Sequence, residues 1–150
     1  MWNRVTYTLL FYLALPSIFL YFLWRAIKSS DYRAGFLQRL ALYDEEPSAQ
    51  PIIHCHCASL AEVKAITPLL KKLIATCPSY DVVVTTTTPT GAREIRQQFA
   101  EQVTHVYAPL DSLDATARFC QQFNPVVSLF VEVELWPNWL HALKKTGTKL

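Results

Sequence analysis

The chain has 150 residues, with 14 basic and 12 acidic side chains, which gives a formal net charge of +2 at pH 7. This charge is too small to indicate a nucleic-acid-binding protein, because such proteins carry a pronounced basic excess. About 100 residues follow the N-terminal apolar and linker segments, which is enough for one ordinary domain. We therefore expect one domain behind an N-terminal extension, and no nucleic-acid partner.

The first predicted element is an uncharged apolar segment at residues 5–24, VTYTLLFYLALPSIFLYFLW. A helix of roughly 20 apolar residues spans a hydrocarbon core of about 30 Å. A signal peptide would have a basic start, a shorter apolar core and a small-residue cleavage site. We therefore predict a retained membrane anchor over residues 1–28. Pro16 lies in the middle of this segment, so a kinked or shallow placement in the membrane interface is also open.

Basic residues are more frequent after the apolar segment than before it. Arg4 precedes it, and the residues that follow it are Arg25, Lys28, Arg33 and Arg39. By the positive-inside rule this asymmetry places the rest of the chain in the cytoplasm. The same cluster would attract anionic lipid headgroups, by about 1 kcal/mol for each basic residue near the surface. Residues 29–51 are predicted to form a basic neck and a linker, since residues 43–50 show no apolar period.

Residues 52–150 alternate between strand and helix patterns. Apolar and β-branched runs predict strands at residues 52–57, 82–86, 105–107 and 126–131. Apolar spacing and cap signals predict helices at residues 63–78, from residue 88 onwards, at 112–123 and at 136–145. Gly147 is suited to cap the last helix at its C-terminus. This alternation predicts an α/β fold, a Rossmann-like parallel sheet with right-handed crossovers.

The chain ends at Leu150, where the alternation requires a further strand. A sheet without that strand would expose an apolar edge, which natural folds avoid. The pattern therefore indicates the N-terminal part of a longer protein, or a truncated product.

Three polar clusters follow predicted strands, at residues 59–62, 85–91 and 132–138. The carboxyl ends of parallel strands line one crevice in an open α/β sheet. Residues that are distant in the sequence are therefore expected to meet there. This placement would bring carboxylates, a run of hydroxyls and a helix start around one substrate.

Each cluster also has a purely structural interpretation. Ser59 and Glu62 have the spacing of a capping box. Residues 88–91 form an ordinary helix start, although the free amides at such a start also bind phosphate. Glu132 and Glu134 alternate along a strand end, so only one of them can face a given side. No glycine-rich nucleotide-binding motif occurs, and the residues alone leave both interpretations open.

The segment His-Cys-His-Cys at residues 54–57 contains side chains that bind metals. Successive residues of a strand point to opposite faces, so the two histidines lie on one face and the two cysteines on the other. A tetrahedral zinc site that uses all four side chains is therefore not expected. We predict buried strand residues and no metal, and reduced cysteines in a cytoplasmic domain.

The order of the motifs resembles the N-terminal domain of 3-deoxy-D-manno-octulosonic acid (Kdo) transferases over residues 1–150. Behind the apolar anchor, the matching motifs are His-x-x-Ser-x-x-Glu at 56–62, Thr-Thr-x-Thr-Pro-Thr-Gly at 85–91, His-Val-Tyr-x-Pro-x-Asp at 105–111 and Glu-x-Glu-Leu-Trp-Pro-Asn at 132–138. The resemblance implies a metal-independent glycosyltransferase of the two-domain GT-B type, with no cofactor. It would transfer Kdo from CMP-Kdo to the lipid A precursor, at the cytoplasmic face of the inner membrane during lipopolysaccharide synthesis.

The resemblance also implies roles for individual residues. Glu62 matches the general base and Glu132 a carboxylate that assists the transition state. The residues expected to bind substrate are Ser59, Thr88, Thr90, Gly91 and Glu134. Ala61 departs from the family pattern, which has glycine there, so the loop conformation or the approach of the acceptor is expected to differ.

The resemblance covers only part of such an enzyme. Residues 52–150 would be the acceptor-binding domain, whereas the family places most CMP-Kdo contacts in a C-terminal domain. An isolated chain of 150 residues is therefore expected to be inactive. The alternative is a non-catalytic, membrane-anchored binding or scaffold protein derived from such an enzyme.

Overall fold

The structure, a computed structural model, describes residues 3–33, 35–46, 48–132 and 135–150. The α-helices in these ranges are α1 (Arg4–Lys28), α2 (Ser30–Arg33), α3 (Leu60–Thr76), α4 (Pro89–Phe99), α5 (Leu113–Phe123) and α6 (Pro137–Lys145). The strands are β1 (Ile52–Cys57), β2 (Asp81–Thr86), β3 (Thr104–Tyr107) and β4 (Val127–Phe130). Short 3-10 helices occupy Gln38–Leu40 and Ala100–Gln102.

The four strands form a parallel sheet in the order β3-β2-β1-β4. Ile53 lies in the centre, opposite Val82 on one side and Val127 on the other. Beyond β4, a single parallel bridge joins Val127 to Lys149. The residues at which the sequence pattern required a further strand therefore do begin to pair with the sheet.

The predicted α/β fold is confirmed, with small differences in the element bounds. β1 has the predicted bounds, whereas β4 is two residues shorter than the predicted strand at 126–131. α3 begins at Leu60, three residues before the predicted apolar period, because Ser59 caps its first turn. It continues through Pro68 and ends at Thr76.

Two apolar clusters form the core, one on each face of the sheet. Cys55 and Cys57 lie in the cluster that α3 and α4 cover. His54 lies on the opposite face, where its ring contacts Phe119 of α5 and Trp139 of α6 at 5.0 and 5.3 Å between ring centroids. The predicted separation of histidines from cysteines is therefore confirmed.

α1 is continuous through Pro16 and lies along the α/β domain. Its length and its mean hydropathy of 1.7 over the most apolar window satisfy the requirement for a membrane span. Phe19 contacts Phe36 at 5.2 Å between ring centroids, and Phe22 packs under the Arg39 guanidinium at 4.3 Å. The opposite side of the helix is exposed, and Leu13 there is 78% accessible. α1 therefore has one face on the domain and one free apolar face.

Candidate functional site

The strand order reverses between β1 and β4, so the sheet has a topological switch point between these two strands. In open α/β sheets, ligands bind in the crevice beyond the carboxyl ends of the strands at such a point. Two backbone hydrogen bonds link the strand ends there: Val131 N to His56 O at 3.0 Å, and Thr87 N to Ala58 O at 3.2 Å. The segments that follow β1, β2 and β4 therefore meet, as the sequence predicted.

Glu62 lies in the first turn of α3, immediately beyond the end of β1, and is half-buried. Its Oε2 accepts a hydrogen bond from Ala58 N at 2.7 Å, and its Oε1 accepts one from Ser59 Oγ at 2.6 Å. Ser59 Oγ in turn accepts from Glu62 N at 3.4 Å. The capping function is thus present, with the carboxylate on the amide one residue before the cap rather than on the cap itself.

The Glu62 carboxylate can accept further hydrogen bonds in addition to the two that it accepts at the cap. Each carboxylate oxygen has two lone pairs, so each can accept a second hydrogen bond. The two observed hydrogen bonds fix the orientation of the side chain at the switch point. A substrate hydroxyl can therefore meet a positioned carboxylate here, and the two interpretations of Glu62 are compatible.

The start of α4 packs against the start of α3. Thr88 caps α4, its Oγ1 accepting from Gly91 N at 3.3 Å, and the Thr90 hydroxyl lies 3.4 Å from that same oxygen. A Cβ at Gly91 would come within 3.2 Å of Thr88 Oγ1 and 3.5 Å of the Ser59 carbonyl carbon. A Cβ at Gly91 would thus be in ordinary contact with the start of α3, and Ser59, Thr88, Thr90 and Gly91 are brought together.

Glu132 follows β4 with its side chain exposed. Its backbone has a φ of 64°, in the left-handed region, which costs a non-glycine residue of order 1–2 kcal/mol. Such a conformation persists only where the surroundings enforce it. Glu134, the other predicted carboxylate, lies outside the described residues.

Ala61 has an ordinary place in the structure. It lies in the first turn of α3 with its methyl group exposed, and it is not among the described residues with positive φ. The conformational freedom of glycine is not used at this position. The expectation that alanine alters this loop is therefore not supported by the backbone geometry.

A buried polar network lies beneath the crevice, on β1, β2 and β4. The Thr85 hydroxyl is 2.9 Å from His54 Nε2 and 2.8 Å from His56 Nδ1, and Ser128 Oγ is 3.0 Å from His54 Nδ1. Burial lowers the pKa of His56 to about 4 and that of His54 well below its usual value, so both rings are neutral at pH 7. Within the described ranges, no group of three or more His, Cys, Asp and Glu side chains could hold a metal ion.

Arg39 was expected to face lipid headgroups, and that expectation is wrong. Its side chain is only 3% accessible, and its Nη2 donates to Thr87 O at 2.7 Å. Its guanidinium also lies 4.8 Å from the ring centroid of Tyr107. Burial lowers its pKa from the usual value. Arg39 thus connects the neck to the end of β2. The number of basic residues in the neck could not predict this contact, because it depends on a residue 48 positions away.

Asp111 and Asn138 are buried site residues that the sequence did not assign. α6 has no side-chain cap of its own. Asp111 supplies the cap from the segment after β3, accepting from Asn138 N at 3.1 Å and from Trp139 N at 2.7 Å. Burial raises the pKa of Asp111, while these two amides lower it. In the sequence, the only signal for Asp111 and Asn138 is that each is the last residue of a motif, at 105–111 and at 132–138.

A partly open cavity of about 140 Å³ lies between α1 and the strand-end segments. α1 contributes apolar side chains to its wall, and the strand ends contribute Thr87, Pro109 and Trp136. The space beside the strand-end threonines is therefore apolar and is closed partly by α1.

Together, a parallel Rossmann-like sheet and polar segments at its switch point define an α/β domain with a crevice at the carboxyl ends of its strands. Over residues 34–150 the chain matches the family described as 3-Deoxy-D-manno-octulosonic-acid transferase (kdotransferase). It is 35% identical over 144 residues to the 3-deoxy-D-manno-octulosonic acid transferase of Haemophilus influenzae, which covers 95% of this chain and 34% of that protein. The chain belongs to the Kdo transferase family.

Other relatives carry related names. The 3-deoxy-D-manno-octulosonic acid transferase of Bordetella pertussis is 33% identical over 109 residues, 69% of this chain and 25% of that protein. A probable mitochondrial 3-deoxy-D-manno-octulosonic acid transferase of Arabidopsis thaliana is 29% identical over 136 residues, 91% of this chain and 30% of that protein. The chain thus spans about a third or less of the length of these relatives.

Proposed function

We propose that this chain forms the acceptor-binding part of a GT-B glycosyltransferase, which transfers Kdo from CMP-Kdo to the lipid A precursor lipid IVA. The observation that carries the proposal is the position of Glu62, which lies oriented and half-buried at the switch point of the sheet. Membership of the Kdo transferase family supports the choice of donor sugar.

In the proposed reaction, a hydroxyl of the acceptor attacks the anomeric carbon of Kdo. The new glycosidic bond forms as the bond to the phosphate of CMP breaks, and CMP leaves with that electron pair. Glu62 takes the proton from the attacking hydroxyl, since a carboxylate within hydrogen-bond reach can act as a general base. The fixed orientation of this carboxylate lowers the entropic cost of the encounter.

The other predicted residues have supporting roles in the proposed reaction. Glu132 assists the transition state as the donor sugar gains positive charge, and Glu134 is the second carboxylate of the same motif. Ser59, Thr88, Thr90 and Gly91 shape the acceptor side of the crevice, where the starts of α3 and α4 approach each other. The reaction needs no metal, and most contacts with CMP-Kdo would come from a C-terminal domain.

The proposed location is the cytoplasmic face of the inner membrane. The free apolar face of α1 supports membrane association. The apolar cavity between α1 and Thr87 lies where an acyl chain of a lipid acceptor could enter beside the crevice. Arg25 and Lys28, at the C-terminal end of α1, support a cytoplasmic domain.

The test is an assay of the natural gene product that carries residues 1–150, with CMP-Kdo and lipid IVA in mixed micelles. We expect a lipid product that is heavier by Kdo, together with free CMP. Absence of both products from a folded, lipid-bound protein would refute the proposal. Binding of lipid IVA without transfer would instead support a non-catalytic, membrane-anchored binding or scaffold protein.

A further inference from the structure

Asn138 is the residue at which α1 meets the N-terminus of α6. Its Oδ1 accepts from Thr8 Oγ1 at 2.9 Å and lies 3.4 Å from Arg4 Nη1. Its Nδ2 donates to the Asp111 carbonyl oxygen at 2.9 Å, and its side chain is buried. Asn138 is thus held by α1 on one side and by the Asp111 segment on the other.

Three polar side chains in the first two turns of α1, those of Arg4, Tyr7 and Thr8, are directed at this contact. The single hydroxyl proton of Thr8 is shared between Asn138 Oδ1 and the Arg4 carbonyl, at 2.9 and 2.8 Å. The Tyr7 hydroxyl faces the Asp111 carboxylate and favours its charged form. An apolar membrane anchor does not require such polar contacts. Here they join α1 specifically to the N-terminus of α6.

Between Val131 and α6 the structure describes Glu132, Leu135 and Trp136, which we call the Glu132 loop, and hydrogen bonds hold the chain on both sides of these residues. At the upstream end, Val131 N donates to His56 O at 3.0 Å. At the downstream end, Asp111 caps α6 through the amides of Asn138 and Trp139. Glu132 has a left-handed backbone, and such a conformation persists only where the surrounding structure enforces it.

We propose that α1 is a positioning element for the Glu132 loop, with Thr8 and Tyr7 holding Asn138 and Asp111 at its downstream end. α1 would then set the geometry of a crevice carboxylate in addition to its role at the membrane. The catalytic consequence rests on the proposed function, whereas the positioning of the loop does not. Thr8 and Tyr7 are positioning residues, because they act through Asn138 and Asp111.

The first test measures hydrogen exchange at the Asn138 and Trp139 amides of the 150-residue chain in micelles. Thr8→Val keeps the shape of the side chain and removes its hydroxyl. Thr6→Val is the matched control, because Thr6 lies exposed on the same helix. We expect exchange at both amides to rise roughly fivefold with Thr8→Val, as for the loss of one net hydrogen bond. Equal rates in the two variants would overturn the proposal.

Tyr7→Phe gives a second, independent variant of the same contact. Its matched control is Tyr21→Phe, since Tyr21 is 50% accessible on α1. We expect faster exchange at the Trp139 amide with Tyr7→Phe, and binding to vesicles that stays within twofold of the wild type. If Thr8→Val fails to fold, Tyr7→Phe tests the positioning role of α1 by the same measurement, hydrogen exchange at the Trp139 amide.

The second test measures Kdo transfer by the natural gene product carrying Thr8→Val or Thr6→Val. A displaced Glu132 loop should lower kcat about tenfold while KM for CMP-Kdo stays within twofold, because transition-state contacts are lost rather than ground-state binding. Unchanged kcat with faster exchange would overturn the positioning role. Absence of transfer from the wild type and the Thr6→Val control would count against the proposed function, and the exchange data would still decide the contact.

Discussion

At the scale of single residues, the side chains of the candidate site have defined structural tasks, and the proposed function adds a chemical task to Glu62. Glu62 caps α3 and is held at the switch point by that capping. Thr85 satisfies two buried histidines at the floor of the crevice. Sequence spacing alone cannot separate the capping of α3 by Glu62 from the catalytic role proposed for it, because the hydrogen bonds of the cap are compatible with both.

The buried histidines predict a loss of stability in acid. The pKa of His56 is lowered to about 4, and His54 shifts in the same direction, because burial disfavours the charged ring. Unfolded histidines bind protons below about pH 6.5. The free energy of unfolding should therefore fall between pH 6.5 and 4, by up to about 1.4 kcal/mol per pH unit for each histidine. Urea unfolding across this range measures the slope.

A matched variant isolates the contribution of the buried histidine. His141→Gln removes a histidine from α6 that is not buried, whereas His56→Gln removes the buried ring. We expect the acid slope to be shallower with His56→Gln than with His141→Gln. Equal slopes in the two variants would contradict the assignment of the acid-induced loss of stability to the buried ring of His56.

Gly35 gives a second prediction at this scale. A Cβ there would lie 2.0 Å from a ring carbon of Tyr107, which is buried. Gly35→Ala should therefore lower the free energy of unfolding by about 1–3 kcal/mol, as overpacking does. Tyr107→Leu combined with Gly35→Ala should recover part of this loss. Additive effects in that double-mutant cycle would show that the two side chains do not clash.

At the scale of elements, most of the α/β pattern could be predicted because its signals are local. Ser59 and Thr88 cap α3 and α4 at the predicted positions, and Ser112, the first residue of the predicted third helix, caps α5. The cap of α6 could not be predicted, because Asp111 supplies it from 27 residues away. The docking of α1 through Thr8 also joins residues that are distant in the sequence. Thr8 lies within a long apolar run, which indicates a membrane anchor and gives no signal for this contact.

The cap of α6 predicts a measurable cost. Asp111→Ala should lower the free energy of unfolding by about 1–2 kcal/mol, because two amides at the start of α6 lose their acceptor. Asp114→Ala is the matched control, since that exposed carboxylate lies in the first turn of α5. Thermal melting of both variants measures the difference. Equal costs would show that the buried cap has no special role.

The free face of α1 predicts where the membrane contact lies. Leu13 is 78% accessible on that face. The Leu13→Asp variant should bind vesicles roughly tenfold more weakly or worse, because a carboxylate is costly to place in the bilayer. Leu69→Asp, on the exposed side of α3, should leave binding unchanged. Flotation with liposomes of anionic lipid measures this. Equal binding of both variants would place the membrane contact elsewhere.

At the scale of the whole molecule, an apolar helix, a neck with a buried arginine and a crevice are joined to one another. Arg39 ties the neck to the end of β2, and Asn138 ties α1 to the start of α6. The local pattern predicted the crevice, because parallel strands bring their carboxyl ends together. It could not predict that α1 closes one side of the crevice, because that contact depends on side chains from five separate segments: α1, Arg39, Thr87, residues 108–110 and Trp136.

The most direct test of the proposed function is the Kdo-transfer rate of Glu62→Gln in the natural gene product. Glutamine keeps the size of the side chain but cannot accept the proton of the acceptor at neutral pH. Loss of a general base should lower kcat by roughly 10²–10⁴-fold, whereas the weakened cap should cost only about 1 kcal/mol of stability. Glu101→Gln, at an exposed site, is the control and should retain wild-type turnover. Turnover of Glu62→Gln within about threefold of wild type would contradict the account and leave Glu62 as a helix cap.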